Sequence, residues 1–488
     1  NDGDATIAGT VSLDASIANF TATGFQMGTL MNLVITGDED VTLGTLEGGA
    51  TTSVDASAST GKISLTTTTL APTITTGSGV DTITVNGVDV HTVSTGAGGD
   101  TLNITSTTDG STFDTGGGND TINVDDVDTY SVVGGAGDDI FNTAAALKAS
   151  IFGGDGTDKI VIDTNTAVTF DGSFRMNSIE EFDLTTASAL VTLDDESFAS
   201  DNSLILVGDG ATDIFKVLAD NTSGATIDAS ELTVKTGSTV TIQYFGGTKA
   251  DTITGGVAAE TFFASQGADT IEGGATGIDT YTYAGSDNTF AVTAGGTSTG
   301  TVINLGATDI VGAAITAQVG KFSSAAMTIG AGKAAYLYDA NAATNSAELD
   351  TLSDIENIIS GDGADYIVGS TDDNNIDGGA GADYIDAGDG NDTITVATAG
   401  DANSDKMHGG AGDDILSIGG TTTVTTTDTD ITGIETVTLS GTGATDVILT
   451  GQSEAFTING NSGQNEITGG SGNDIIVGGG GADIITTG

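Results

Sequence analysis

The chain has no cysteine and no tryptophan, one proline (Pro72), and only 10 lysines and arginines in 488 residues. Without cysteine, disulfides and thiolate chemistry are both excluded, and of the two staples secreted proteins use, disulfides and metals, only metals remain open here. With aromatics at 5%, a core built on ring bulk fits poorly, and a thin core of Val, Ile, Leu and Ala is expected. The shortage of cations leaves 68 acids and a formal charge of −58, which argues against nucleic acid or an anionic membrane as a partner. No run of 18 or more apolar residues occurs, so no membrane insertion is expected. No basic-then-apolar leader follows Asn1, and the chain reads as a processed or partial piece of a longer polypeptide.

What is abundant points one way. The 75 glycines are too many for helices, where each costs about 1 kcal/mol against Ala, but they suit frequent turns at positive φ. Of the acids, 55 are Asp and 13 are Glu. A solvated helical surface would favour Glu, whereas Asp is a turn former and a short-armed calcium ligand. A merely solubilised, salt-tolerant surface is the plainer alternative; position decides against it.

Gly-Gly-x-Gly-x-Asp occurs at Gly134–Asp139, Gly153–Asp158, Gly378–Asp383, Gly409–Asp414, Gly469–Asp474 and Gly478–Asp483. The pattern with its first Gly replaced ends at Asp81, Asp100, Asp120, Asp365 and Asp392. Chance supplies about one or two such matches, so this is repetition. Asp365, Asn374, Asp383 and Asp392 fall nine apart, as do Asp251, Glu260 and Asp269 (with Asp279 after ten) and Asn465, Asp474 and Asp483. Asp81, Asp100, Asp120, Asp139 and Asp158 fall 19 or 20 apart.

The spacing has a physical reading. Glycines bend the chain and turn carbonyls toward one point, and the Asp adds a carboxylate, giving the roughly 6–8 oxygens that Ca²⁺ takes. The next three residues form a short strand with one apolar side chain inward. A nonapeptide is then half a coil, and ions sit between residues about 18 apart on one edge. In the early region one edge carries the glycine turn and the other half-coil is ordinary sequence, so Asp81 to Asp158 should stack as a single ladder. The candidate ligands are Asp81, Asp100, Asp120, Asp139, Asp158, Asp213, Asp251, Asp269, Asp279, Asp365, Asp383, Asp392, Asp414, Asp474 and Asp483. Asp155, Asp362 and Asp389 lie inside motifs and offer carbonyls first. The alternative for any one turn, an acid capping its own backbone, weighs most at Glu260, Asn374 and Asn465 and at Asp213, which follows an extra residue.

These motifs resemble the RTX (repeats-in-toxin) family of secreted Gram-negative proteins, most strongly at Thr351–Ile394, where an Ile-Glu-Asn lead-in precedes the nonapeptides. RTX-like sequence covers 77–162, 245–283, 360–418 and 459–488. The resemblance implies an all-β, elongated, right-handed parallel β-roll or β-solenoid, multiple Ca²⁺ ions and type I secretion. The alternation of repeats with Thr-rich spacers is further similar to RTX-type bacterial surface-layer (S-layer) proteins. That implies a cell-surface location, self-association into a lattice or filament, and contact with surface polysaccharide or lipopolysaccharide through another region.

The expected organisation is an N-terminal solenoid-like segment (1–75), RTX coils (76–164), a β-rich spacer (165–243), an RTX block (244–283), an Ala/Gly-rich insert able to hold a helix or larger loop (284–358), an RTX block (359–418), a second spacer (419–458) and a last RTX block (459–488). Two phrases recur between repeats: Asp-Ala-Ser at Asp14, Asp55 and Asp228, and Ile-Glu at Ile179, Ile355 and Ile434. Enzyme chemistry is not expected. The Gly-x-Ser-x-Gly at Gly296–Gly300 lacks a strand–turn–helix context, His408 precedes a calcium turn on an expected solvent-facing edge, and His91 is expected at the surface. Two functions follow: a structural subunit of a calcium-dependent extracellular surface layer or filament, or the stalk of a secreted RTX adhesin, toxin or hydrolase.

Overall fold

The computed structural model describes residues 9–22, 24–27, 31–48, 52–67, 73–87, 89–124, 128–143, 147–164, 167–170, 173–184, 190–198, 203–219, 224–265, 267–274, 276–283, 301–311, 328–336, 349–361, 363–396, 402–420, 423–427 and 430–488. Short strands dominate, and one helical turn, Asp195–Phe198, is the only helix longer than a residue among them. Nearly all strand pairs are parallel, between segments one coil apart, so the chain is a parallel β-solenoid. It divides into two compact units, 1–218 with 227–242, and 219–226 with 243–488.

Why these residues coil is visible in the alternation of burial. In the first unit Thr82–Asn86, Thr101–Ser106, Thr121–Val124, Ile140–Thr143 and Lys159–Ile162 pair side by side. Each turns every second side chain inward, as a strand must. The inward residues stack in register: Leu65, Ile83, Leu102, Ile122, Phe141, Ile160, Phe182 and Leu206 form one apolar column. Leu33, Val54, Ile74, Val93, Phe113, Val132, Ile151 and Met176 form the facing sheet's column. All are at most 2% exposed. Burying such a side chain contributes roughly 1.5–3 kcal/mol, and one or two per half-coil make a thin core. On the outer face Asn142, Asn123 and Asn103 hydrogen-bond in a chain, each Nδ2 donating to the next Oδ1 (2.9 and 2.7 Å).

The 165–243 spacer follows the same rule. Arg175–Asn177 and Glu181–Asp183 pair with the coil before them. Phe170, Phe174, Phe182, Phe198 and Phe215 pack there with centroids 4.4–6.2 Å apart. In the second unit Ile358, Ile376, Ile394, Leu416, Val437, Ile458 and Ile476 repeat the column. Most of the 284–358 insert lies outside the described residues. Its described part is β: Thr301–Asn304 and Lys333–Tyr336 pair antiparallel. No described helix is long and apolar enough to cross a membrane.

Candidate metal centres along the coil edges

The turns bring the motif acids together by stacking. In the first unit the N–H of Asp81 donates to Oδ1 of Asp100 (2.7 Å), Asp100 to Asp120 (2.6 Å), Asp120 to Asp139 (2.8 Å) and Asp139 to Asp158 (2.8 Å). The five lie on one edge, each at most 1% exposed. In the second unit the nine-residue period puts successive acids on alternate edges, so the partner lies two repeats on. Asp251 donates to Asp269 and Asp269 to Asp350, while Glu260 donates to Asp279. Asp365 donates to Asp383 and Asp383 to Asp405; Asn374 donates to Asp392 and Asp392 to Asp414. Asn465 donates to Asp483 and Phe456 to Asp474.

Glycine is needed because the coils approach so closely. Gly118 and Gly137 have φ of +121° and +130°, and a Cβ on either would collide with the carbonyl of the coil before, at Gly98 and Gly118. The first Gly of each motif leaves room for the acid instead: a Cβ on Gly409 would sit 2.6 Å from Asp414 Oδ2, and one on Gly478 2.6 Å from Asp483 Oδ2.

Each ladder uses one carboxylate oxygen and leaves the other to be satisfied in one of two ways. In closed turns a donor four or five residues back takes it: Asp209 N to Asp213 (2.9 Å), Gly247 N to Asp251 (2.7 Å), Ser265 Oγ to Asp269 (2.6 Å) and Ser360 Oγ to Asp365 (2.8 Å). The departures from the motif accept the same donor, with Gly256 N on Glu260 Oε1 (3.0 Å), Ser370 N on Asn374 (2.7 Å) and Asn461 N on Asn465 (3.1 Å), although Glu260 Oε2 stays buried without a partner. These are acids and amides capping their own turn. In open turns Oδ2 is buried and receives no donated hydrogen, as at Asp81, Asp100, Asp120, Asp139, Asp158, Asp392, Asp414 and Asp474; the Thr76, Thr95 and Thr115 hydroxyls beside the first three lower their pKa but give their hydrogen to carbonyls of the next coil. An unpaired buried carboxylate is costly, and burial pushes Asp81, Asp139 and Asp392 up to about 6 and Asp120 to about 7. Burial, then the Asp279 carboxylate, also pushes Glu260 up to about 8.

A hard cation relieves this burden. No three His, Asp or Glu side chains converge on one point among the described residues. An ion here must therefore draw most of its shell from carbonyl oxygens, with one carboxylate per turn, a donor set of oxygen alone that suits Ca²⁺. The open turns fit that demand: an orphaned carboxylate oxygen beside glycine carbonyls.

Two acids missed by motif reasoning join the ladders. Asp350 and Asp405 are 3% and 2% exposed and lack a glycine turn before them. Their signal is the Asp-x-apolar start of a strand, as in Asp350-Thr351-Leu352 and Asp405-Lys406-Met407. In the paired acids, Asp139 is inward while Asp138 is exposed on an outer ladder, accepting from Thr157 N (3.0 Å) and donating its own N–H to Asn119 Oδ1 (3.0 Å). Asp155 and Asp389 are exposed, and the Asp155 carbonyl accepts from Gly137 N (2.7 Å); Asp362 lies outside the described residues. The Asp-Ala-Ser phrases are Asx turns: Asp14, Asp55 and Asp228 each accept the N–H two residues on at 3.1 Å.

One expectation is corrected. His91 is not at the surface but fully buried, its N–H donating to Ser111 Oγ (3.0 Å) and its Nδ1 3.4 Å from Thr107 Oγ1. The half-coil opposite the glycine edge turns polar side chains inward, and from the next coil Thr107 meets the ring and Ser111 the backbone N–H. His408 is half-buried on a sheet face, hydrogen-bonded to Thr432 Oγ1 and 5.1 Å from the Tyr384 ring. The Gly296–Gly300 motif lies outside the described residues.

The family model for the RTX calcium-binding nonapeptide repeat matches four copies, at 244–271, 359–394, 399–420 and 457–488. No curated protein matches the chain. The matched segments hold the alternating-edge ladders of the second unit, and the first unit carries the same turn geometry on coils of 19–20 residues. RTX repeats bind calcium and belong to secreted-type repeat proteins. The chain thus carries RTX calcium-binding nonapeptide repeats, and its fold is the β-solenoid that such repeats build.

Proposed function

We propose that the chain is a structural subunit of an extracellular, calcium-dependent surface layer or filament, and not an enzyme. The observation that carries this is where the orphaned oxygens sit. They line the coil edges of each unit between stacked turns, so the ions are held by the frame itself rather than gathered at one substrate site. The ligands are the open-turn aspartates with glycine carbonyls. Metal binding then contributes folding free energy directly, and extracellular calcium matches sites of about 10⁻⁴–10⁻³ M. The outer surface, acidic and rich in Thr and Asn, suits lateral contacts bridged by calcium between copies of this chain. The second reading is the stalk of a secreted adhesin, toxin or hydrolase. Negative-stain microscopy and sedimentation in calcium and in chelator separate the two: sheets or filaments that dissolve in chelator support the first, and monodisperse rods at all calcium levels refute it.

A further inference from the structure

The three Ile-Glu phrases occupy one structural position. Each follows a residue at left-handed φ: Ser178 (55°), Asp354 (51°) and Gly433 (59°). Ser178 and Asp354 are the only non-glycine residues at positive φ among those described. The Ile is buried, at 0%, 5% and 2% exposure for Ile179, Ile355 and Ile434. Strand register shows what the turn replaces. Phe152 pairs with Asn177 and Lys159 with Glu181, so the six residues 153–158 are faced by only three, 178–180. Likewise the seven residues 273–279 face only 354–356, and the six residues 409–414 face only 433–435.

This three-residue turn supplies both groups that a full glycine turn would. Glu180 Oε2 accepts from Asp158 N (2.7 Å), Glu356 Oε2 from Asp279 N (2.8 Å) and Glu435 Oε2 from Asp414 N (2.8 Å), the place taken elsewhere by the next Asp. The carbonyls of Ser178, Asp354 and Gly433 point at the first Gly of the turn before, where a Cβ on Gly153, Gly273 or Gly409 would collide with them and with the last Asp's Oδ2. The ladder then stops. Glu180 N and Glu181 N both turn back to the Asp158 carbonyl (3.0 and 3.1 Å), as Glu356 and Asn357 do to Asp279, and Glu435 and Thr436 to Asp414. Asp158 and Asp414 are 0% exposed, and their Oδ2 atoms, aimed at this junction, have no partner.

We propose that each left-handed-residue–Ile–Glu turn completes a terminal calcium site, with Glu180, Glu356 and Glu435 giving the closing carboxylate and Ser178, Asp354 and Gly433 the closing carbonyl. This rests on the calcium ladders proposed above, and the test separates the two. Glu→Gln at 180, 356 and 435 keeps an oxygen that accepts the Asp N–H but removes the charge. Calcium bound at saturation, counted by equilibrium dialysis on the whole chain, should fall by one ion per single substitution and by three in the triple variant, with far-UV circular dichroism in calcium unchanged. An unchanged count in folded Gln variants makes the turn a backbone cap only and overturns the proposal. Should the triple variant fail to fold, the single variants decide by the same count. A wild-type chain that binds no calcium would instead overturn the ladder assignment itself.

Discussion

Removing calcium at pH 8 is expected to melt the Asp81–Asp158 coils, and acid is expected to restore them. The orphaned carboxyls carry the argument. Burial holds Asp120 near 7 and Asp81 and Asp139 near 6, against an ordinary 3.8. At about 1.4 kcal/mol per pKa unit, ionising them in the metal-free fold costs on the order of 4, 3 and 3 kcal/mol. Halved for screening by solvent beside the turns, this still totals about 5 kcal/mol, the size of a domain's whole stability. The sign follows from linkage. A carboxyl raised in the fold binds protons more tightly folded than unfolded, so its contribution is full below pH 3.8 and lost as pH rises through 6–7. In chelator, far-UV circular dichroism should show β-structure near pH 4 and lose it with a midpoint at roughly pH 5–7. In saturating calcium the same signal should persist at pH 8. A chelated chain with unchanged spectrum and Tm at pH 8 would refute the reasoning.

Other substitutions probe separate parts of the frame. Asp139→Asn keeps an oxygen for the Asp120 N–H but removes the buried charge. It should raise Tm in chelator and lower it in calcium, while Asp138→Asn on the exposed outer ladder should shift neither by more than about 0.5 kcal/mol. Gly110 has φ +90° with open space around a Cβ, so Gly110→Ala should cost about 1–2 kcal/mol. Gly118→Ala, at φ +121° and against the Gly98 carbonyl, should cost at least twice that by denaturant unfolding. Phe141→Ala in the apolar column should cost about 3–5 kcal/mol.

The parts of the fold that were legible in the sequence are those where one residue does one local job. A glycine at positive φ, an Asp one residue before a strand, and an apolar residue at alternate strand positions each leave a mark at a fixed offset, so register in both units follows from spacing. What spacing does not carry is which oxygen donor meets which acid. Asp251 and Asp139 look alike as letters, yet Gly247 N closes on the first and nothing closes on the second. The difference lies in whether a backbone N–H or hydroxyl four or five residues back is turned toward the carboxylate. Asp350 and Asp405 were illegible for the opposite reason: they hold ladder positions with no Gly-Gly-x-Gly phrase before them to announce the turn. His91 was misplaced because a lone polar residue between motifs looks exposed until the hydroxyls of Thr107 and Ser111, one coil on, are brought to it.

The same distinction bears on how many ions the frame needs. A closed turn satisfies its acid without metal, so it can form first and hold register. An open turn pays a desolvation cost in every coil it joins, and that cost grows with each coil because the neighbouring carboxylate adds repulsion, as Asp139 and Asp100 do for Asp120. A run of open turns is therefore a region that calcium switches on as a unit, whereas interspersed closed turns soften the dependence. The first unit stacks five open turns from Asp81 to Asp158, while Asp251 and Asp269, stacked on one edge of the second unit, are both closed. Titrating calcium into the chelated chain should thus order the Asp251–Asp269 edge at lower calcium than the Asp81–Asp158 edge, read by amide hydrogen exchange. Simultaneous protection of both would show that the turn types are energetically alike.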